Sequence, residues 1–376
     1  ITANGATGSA HYSGSGGSIY CRAGAMQGGG AIMANAGSVT TSTPGGGGRI
    51  ALVVTNAAAD WSGLTGVIEA GGLNKSTASS SGTIYRETAA DAPGNGELII
   101  RGHGVVPYYG MGAQIGGQVA ITSSFSRVTI ENAGVLVIAT NSMLDMAQGE
   151  VVCKPSAPAG GICLDSGALR AAPDFILTNI YLRVQGRESG LCAAGSFTVG
   201  INGELRLDQP LSYDGDFVVA AGGLVSHTVN DATGAYKAKL EVTGNMTIAA
   251  GGAIDVTGKG YPQAAGPGII GAYQSGASHG GLGARTSNAS ARTPGCYGSI
   301  TEPFDLGSGG ISTFGNAGGG AVWLEVGGVL RIDGDIAANG APGSAHYSGS
   351  GGSIYCRAGA IHGAGSIRAN TGAVTT

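Results

Sequence analysis

The chain has 376 residues, with 19 Lys and Arg against 23 Asp and Glu and a formal net charge of −4 at pH 7. Glycine supplies 74 residues, charged types only 11% and hydrophobic types 42%, which excludes a solvated disordered chain; the 12 prolines and the lack of a glycine at every third position exclude collagen. No basic stripe offers a footprint for nucleic acid, and no apolar run reaches the ~18 residues that read as a membrane span.

Residues 1–41 set the first expectation. They return as residues 336–376 without a gap, at an offset of 335 residues and with 9 of 41 positions changed. The run from Gly8 to Ala25 is identical to that from Gly343 to Ala360. Such an echo reads as one full unit of a tandem array plus an overlap, with 1–41 equivalent to 336–376. Within each copy Ile-x-Ala-Asn occurs twice, ending at Asn4 and Asn35 and at Asn339 and Asn370. If the intervening residues make one coil, Asn4 lies beneath Asn35 and Asn339 beneath Asn370, a candidate asparagine ladder; asparagine is also simply tolerated in left-handed turns.

Further along, helical periodicity is almost absent and short strand alternations are everywhere. One pattern recurs: two alternating apolar residues, a short link ending in Gly, then two more. It fits Leu98, Ile100, Gly104, Val106 and Tyr108; Val128, Ile130, Gly134, Leu136 and Ile138; Phe197, Val199, Gly203, Leu205 and Leu207; Phe217, Val219, Gly223, Val225 and His227; and Met246, Ile248, Gly252, Ile254 and Val256. Alternation turns one face of each strand inward. The glycine is expected to make the corner, where a residue without Cβ takes φ > 0. Strand, corner, strand is the logic of a solenoid. The scarcity of Asn-Gly and Asp-Gly hairpin signals disfavours a sandwich. The expected fold is all-β: one continuous, elongated solenoid over residues 1–376, a right-handed parallel β-helix by the handedness of parallel crossovers. Residues 258–320, too long for an ordinary connection, read as a glycine-rich lateral loop insertion.

Chemistry is sparse. One 335-residue unit holds Cys21, Cys153, Cys163, Cys192 and Cys296, an odd number. Cys153 and Cys163 bracket a Pro/Gly loop and form the candidate disulfide; the alternative is that all five are small buried hydrophobes. Asp214 with Asp216, and Asp333 with Asp335, are the only close acid pairs, and Asp-Gly-Asp reads first as a turn. His11, His346 and His279 lack metal-ligand spacing. Asn74, Asn245 and Asn288 match the glycosylation sequon at about chance frequency. No catalytic, cofactor or metal residue is nominated.

The order SHGG (278–281), YGSITEP (297–303), LGSGG (306–310), GGGAVWLEV (318–326), GSGGSIY (349–355) and GGGGRIAL (45–52) resembles the glycine-rich repeat segments of very large secreted or cell-surface bacterial proteins. Those segments are regarded as parallel β-helices. The resemblance implies an extracellular or cell-surface setting and a structural or adhesive role. The expected function is non-enzymatic, a repeat unit of a fibre, filament or surface layer. Its expected partners are copies of itself, head to tail or in lateral chains, with surface glycans as the partner in the alternative reading of an adhesin or glycan-binding stalk. A polysaccharide lyase or hydrolase ranks last.

Overall fold

The computed structural model describes residues 1–8, 13–39, 45–72, 80–103, 112–270, 276–284, 294–310, 316–344 and 348–375. His11, Tyr12, His346, Tyr347, Asn74 and Asn288 lie outside the described residues, as do Gly104, Val106 and Tyr108. The described residues are all-β and their strand pairs are mostly parallel. They include no helix long and apolar enough to cross a membrane. The chain forms two compact units, the first of residues 1–175, 179–182 and 186–194, the second of residues 176–178, 183–185 and 195–376.

In the first unit one sheet runs Ser18–Ala23, Arg49–Val54, Thr83–Glu87, Glu97–Arg101, Arg127–Glu131, Glu150–Cys153. Its pairs are parallel and in register, Ile19 on Ile50 and Ile50 on Ile84, with one exception. Thr83–Glu87 and Glu97–Arg101 run antiparallel. The link between them reverses the chain by local hydrogen bonds. Asp91 Oδ2 accepts from the Thr88 amide at 2.8 Å, and Glu87 Oε2 accepts from the Gly94 amide at 2.7 Å, with Gly94 at φ +79. The unit also holds two further parallel stacks, Ala113–Ile115, Val135–Ile138 and Gly160–Leu164, and Thr122–Ser124, Met143–Asp145, Ala168–Arg170 and Gly190–Cys192, and a parallel pair of Ala31–Met33 with Val67–Glu69.

In the second unit Phe197–Val199, Phe217–Val219 and Met246–Ile248 stack in parallel onto Ala321–Ile332. Leu211–Tyr213 and Ala238–Val242 reach the same long strand nearer its start. That strand therefore carries two columns, and its pairing with Ser353–His362 slips between Val326 and Val329, at Gly327 and Gly328. Glu204–Leu207, Leu224–Ser226, Ala253–Asp255, Asp335–Ala337 and Ser366–Arg368 form a further parallel stack.

Every described position of the apolar pattern faces inward. Val128, Ile130, Phe197, Val199, Leu205, Leu207, Phe217, Val219, Met246 and Ile248 are fully buried. Each such side chain contributes about 1.5–3 kcal/mol on burial. Phe197 stacks on Phe217 with ring centroids 5.5 Å apart, and Tyr213 meets Phe217 edge-on at 5.9 Å.

The corner glycine does a different job from the one expected. Positive φ falls on the residue before it: Ala133 (+61), Asn202 (+53), Gly222 (+75) and Gly251 (+81). The pattern glycine itself closes the turn, as Gly203 N–H donates to Gly200 O at 2.9 Å and Gly252 N–H to Ala249 O at 2.8 Å. It lies hard against the strand beneath. A Cβ on Gly203 would sit 2.0 Å from Leu177 O, and one on Gly223 2.1 Å from Val199 O. The requirement is close backbone approach between layers.

Hydrogen bonds between layers measure the residues each layer consumes. They span 20 residues from Thr228 to Asp208, 29 from Asn245 to Asp216 and 31 from Asn370 to Asn339. Between Asn339 and Thr257 the span is 82, because residues 258–320 are spliced into one layer. The described part of that insertion holds no strand. It packs by backbone: Gly260 N–H donates to Gly318 O at 2.8 Å, Gly307 N–H to Gly319 O at 2.8 Å and Tyr261 N–H to Gly307 O at 3.0 Å.

Candidate functional site

The duplicated sequence is folded the same way twice, once in each unit. Ala3 N–H donates to Met33 O at 2.8 Å, and its counterpart Ala338 N–H to Arg368 O at 2.8 Å. Gly5 N–H donates to Asn35 O at 2.8 Å and Gly340 N–H to Asn370 O at 2.9 Å. Gly17 N–H donates to Ala3 O at 2.7 Å and Gly352 N–H to Ala338 O at 2.8 Å. The same glycines are pinned: a Cβ on Gly16 would lie 2.1 Å from Ala34 O, and one on Gly351 2.1 Å from Ala369 O.

The asparagines sit one above the other in each copy. Asn4 Oδ1 accepts from the Asn35 amide at 2.8 Å, and Asn339 Oδ1 accepts from the Asn370 amide at 2.8 Å. In the first unit the column continues. Asn35 Oδ1 accepts from the Gly71 amide at 2.9 Å and Asn35 Nδ2 donates to Glu69 Oε2 at 2.9 Å. Asn35 is buried under that next layer, whereas Asn370 is exposed. The apolar positions follow suit: Ile32 is 8% exposed and its counterpart Ile367 53%.

The strand Ser18–Ala23 has the same sequence, SIYCRA, as the first six residues of Ser353–His362. Yet the two copies meet different neighbours. Ser18–Ala23 receives Arg49–Val54, with Arg49 N–H donating to Gly17 O at 2.9 Å. Ser353–His362 is laid on Ala321–Ile332, with Ser353 N–H donating to Gly320 O at 3.2 Å. One sequence thus shows its preceding partner in one unit and its following partner in the other. This makes the duplicated layer a surface with chemistry of its own, namely backbone donors and acceptors, an asparagine column and an apolar row.

The other sequence candidates are placed elsewhere. No disulfide joins Cys153 to Cys163. Cys153 ends a strand that pairs with Arg127–Glu131, whereas Cys163 lies on a strand that pairs with Val135–Ile138 and packs with Val135, Val137 and Tyr181, so the two thiols belong to different sheets. Burial pushes the thiols of Cys153 and Cys356 up to about 11, which suits small hydrophobes better than nucleophiles. The acid pairs tie layers together: Asp214 Oδ1 accepts from Thr243 Oγ1 at 2.7 Å and Asp216 Oδ1 from the Asn245 amide at 2.7 Å. Asp333 pairs with Arg331, and Asp335 with Arg368 at 3.2 Å. Asn245 Oδ1 accepts from the Val329 amide at 2.9 Å.

Three arrangements escaped the sequence. In the second unit Arg183 pairs with Asp208 at 2.6 Å, with side chains 5% and 1% exposed. Asp208 also accepts from the Thr228 amide at 2.7 Å and from Thr228 Oγ1 at 2.8 Å. Next to it His227 is fully buried, its Nδ1 2.7 Å from Thr228 O, and burial lowers its pKa to about 4. In the first unit Glu131 lies between Arg101 and Lys154 at 2.5 and 2.6 Å. Burial pushes its carboxyl up, but the hydrogen bonds from Lys154 and Arg101 outweigh that and hold it below the ordinary range. In register on the long strand, Lys239, Trp323 and Tyr355 form an outward column. Trp323 stacks on Tyr355 at 4.0 Å, Phe304 meets Trp323 edge-on at 5.4 Å, and the Lys237 ammonium lies 4.8 Å over Phe304.

A cleft of about 1320 Å³ within the second unit is walled by His279, Tyr297 and Gly351 among others. His279 Nδ1 is 2.9 Å from Gly351 O and its ring lies 4.7 Å from that of Tyr297, whose hydroxyl donates to Leu306 O at 2.6 Å. Tyr297 is thereby committed to holding backbone within the glycine-rich insertion, and His279 ties the insertion to backbone at Gly351, beyond it.

No protein-family model, no curated protein and no solved structure matches this chain.

Proposed function

We propose that the chain is a non-enzymatic structural module, a β-solenoid of the parallel β-helix type. In this reading it is a repeat unit of an extracellular fibre, filament or surface layer, and its partners are copies of itself joined head to tail. The observation that carries the reading is the duplicated layer. Residues of one sequence fold alike in two places and pair with a preceding strand in one and a following strand in the other. A layer with those two faces propagates without a change of geometry, because backbone hydrogen bonding along the stacking direction is the same at every step. In-register parallel columns such as Val225, Ile254, Ile336 and Ile367 support the solenoid reading. Electron microscopy and mass measurement of the native material test it; filaments are expected, and compact monodisperse particles at every concentration refute it.

The outward column of Trp323 and Tyr355 with Phe304 and Lys237 favours a second reading, a stalk that binds surface glycans. Aromatic faces and edges beside polar groups are the common means of gripping sugars and polar ligands. Glycan-array binding lost on Trp323→Ala supports it, and an unchanged binding profile removes it.

A further inference from the structure

We propose that the first unit carries a strand-acceptor groove, in which an extended peptide, apolar at alternate positions and bearing a carboxylate, docks beneath Ala113–Ile115 and Thr122–Ser124. The site stands whether or not the chain forms filaments.

The groove follows from the reversal between Thr83–Glu87 and Glu97–Arg101. Before the reversal the sheet buries one face, with Ile50, Ile84 and Ile99 in one apolar cluster. After it the opposite face is inward, where Leu98 lies on Val128 and Ile100 on Ile130, all buried. That inward row does not stop at Leu98. It runs on to Tyr85, opposite Leu98, and to Ala51, opposite Tyr85. The wall made by the shared sheet therefore continues beneath residues 97–125, while the two other stacks begin there. Among the described residues, Ala113–Ile115 and Thr122–Ser124 are the terminal strands of their sheets, paired on one side with Val135–Ile138 and Met143–Asp145. Both edges are made by the reversal, in the interior of the sequence. In the space beneath them lies a cavity of about 910 Å³, lined by Tyr85 and Ala51 of the continuing wall and by Ile115, Val119, Ile121 and Phe125 of the layer above. That is the size of a ligand site, ~300–1,000 Å³.

Its chemistry selects a peptide strand. Ile115 O accepts from the Ala139 amide of the neighbouring strand at 3.0 Å, so the alternation of a parallel strand turns the Gln114 backbone to the open side. There Gln114 O lies 3.5 Å from Arg49 Nη2. Strand groups facing a cavity are a template for another strand. The lining is largely apolar: Val119 is 70% exposed and Ile121 42%. The Phe125 ring lies 6.0 Å from that of Tyr85, whose hydroxyl donates to Glu87 at 2.5 Å and accepts from the Gly96 amide at 2.9 Å, so the ring is held in place. A sugar would bring hydroxyls against Ile115, Val119 and Ile121, whereas an extended peptide offers a side chain to the same face at every second residue. Arg49 is exposed and its guanidinium reaches the edge at Gln114, so a carboxylate on the added strand completes the site.

The test selects a phage library of random linear octapeptides on the full-length chain, with counter-selection on the chain carrying Val119→Asp and Ile121→Asp. Urea unfolding like that of wild type shows that the double variant is folded. Selected peptides, resynthesised with capped ends, are expected to alternate apolar with polar residues and to carry Asp or Glu. They should bind the double variant about tenfold more weakly, through lost apolar burial. N-methylation of one alternate set of peptide amides should abolish binding while the other set is tolerated, because one edge of an added strand is paired. Amide exchange at Gln114 should slow in the complex, and selection on Arg49→Glu should replace the acid by Lys or Arg. Binding that survives N-methylation of either set, unchanged exchange at Gln114, or no enriched peptide overturns the proposal. So does a glycan-array signal that the double variant loses while no peptide binds.

Discussion

Replacing Asn35 by Ala isolates the energetic content of the asparagine column, because the same residue occurs at Asn370 with no layer above it among the described residues. Asn35 is 7% exposed and its amide makes two side-chain hydrogen bonds, from the Gly71 amide and to the Glu69 carboxylate, both 2.9 Å. A net hydrogen bond is worth about 1 kcal/mol, one to a charged group about 1.5–3, and a buried donor left without a partner costs about 1–3. Allowing for water reaching Glu69, the expected loss for Asn35→Ala is about 3 kcal/mol. Asn370→Ala removes an exposed amide and keeps the backbone bond to Asn339, so it should fall within about 0.5 kcal/mol of wild type. Urea unfolding gives the two free energies, and amide hydrogen exchange at Gly71 reports the bond itself, speeding up in Asn35→Ala alone. Equal losses for the two substitutions, or unchanged exchange at Gly71, would refute the idea that the column acts by satisfying the next layer.

Four further outcomes are expected. His227, lowered by burial from 6.5 to about 4, disfavours folding once protonated; its contribution is intact above pH 6.5 and lost as pH falls through that window, about 3 kcal/mol at 1.4 kcal/mol per decade. The difference in unfolding free energy between wild type and His227→Leu should therefore shift by that amount between pH 7 and pH 4, and a flat difference counts against it. Asp208→Ala takes the carboxylate from the buried Arg183 guanidinium and the acceptor from the Thr228 amide, and should cost about 3–5 kcal/mol by denaturant titration, well beyond the effect of Asp145→Ala at the exposed pair with Arg170. Gly203→Ala forces a methyl to within 2.0 Å of Leu177 O and should lower the melting temperature far more than Ala substitution at Gly280, which meets nothing within 4 Å. Cys153→Ser and Cys163→Ser should leave the response to reductant unchanged, since no bond joins them; a reductant-dependent melting shift in wild type that Cys153→Ser abolishes would contradict this.

The sequence carried the inward rows because a two-residue alternation survives whatever the loops do. Phe197, Val199, Leu205 and Leu207 could be placed without knowing what they stack on. It carried the asparagine positions because Ile-x-Ala-Asn recurs at the same places in both copies of the internal repeat. The role of the corner glycines was misjudged because the carbonyl that crowds Gly203 belongs to Leu177, a layer away, and periodicity holds no information about that approach. The same gap hid the Arg183–Asp208 pair. Layers consume 20, 25 or 29 residues in turn, so no fixed spacing links a lone arginine in an apolar strand to its acid. Cys153 and Cys163 misled for the opposite reason: they are near in sequence, but one turn of chain moves the second thiol to another sheet. The reversal between Thr83–Glu87 and Glu97–Arg101 was written in Asp91 and Gly94, residues too common in loops to be read as a signal.

The glycines that meet carbonyls between layers carry a consequence for how such a chain can change over time. Where backbone touches backbone, the distance from one layer to the next is set by peptide dimensions and is indifferent to the neighbouring side chains. A link that leaves one layer and re-enters at the next is then free to be of almost any length, since the cost of closing it rises only slowly with the number of residues. The span of 82 residues between Thr257 and Asn339 sits in the same stack as spans of 20. Whole modules can be inserted or removed at such a link while the stacking distance stays fixed. The invariant part of the molecule is its spacing, and the adaptable part is what hangs between Val256 and Gly320.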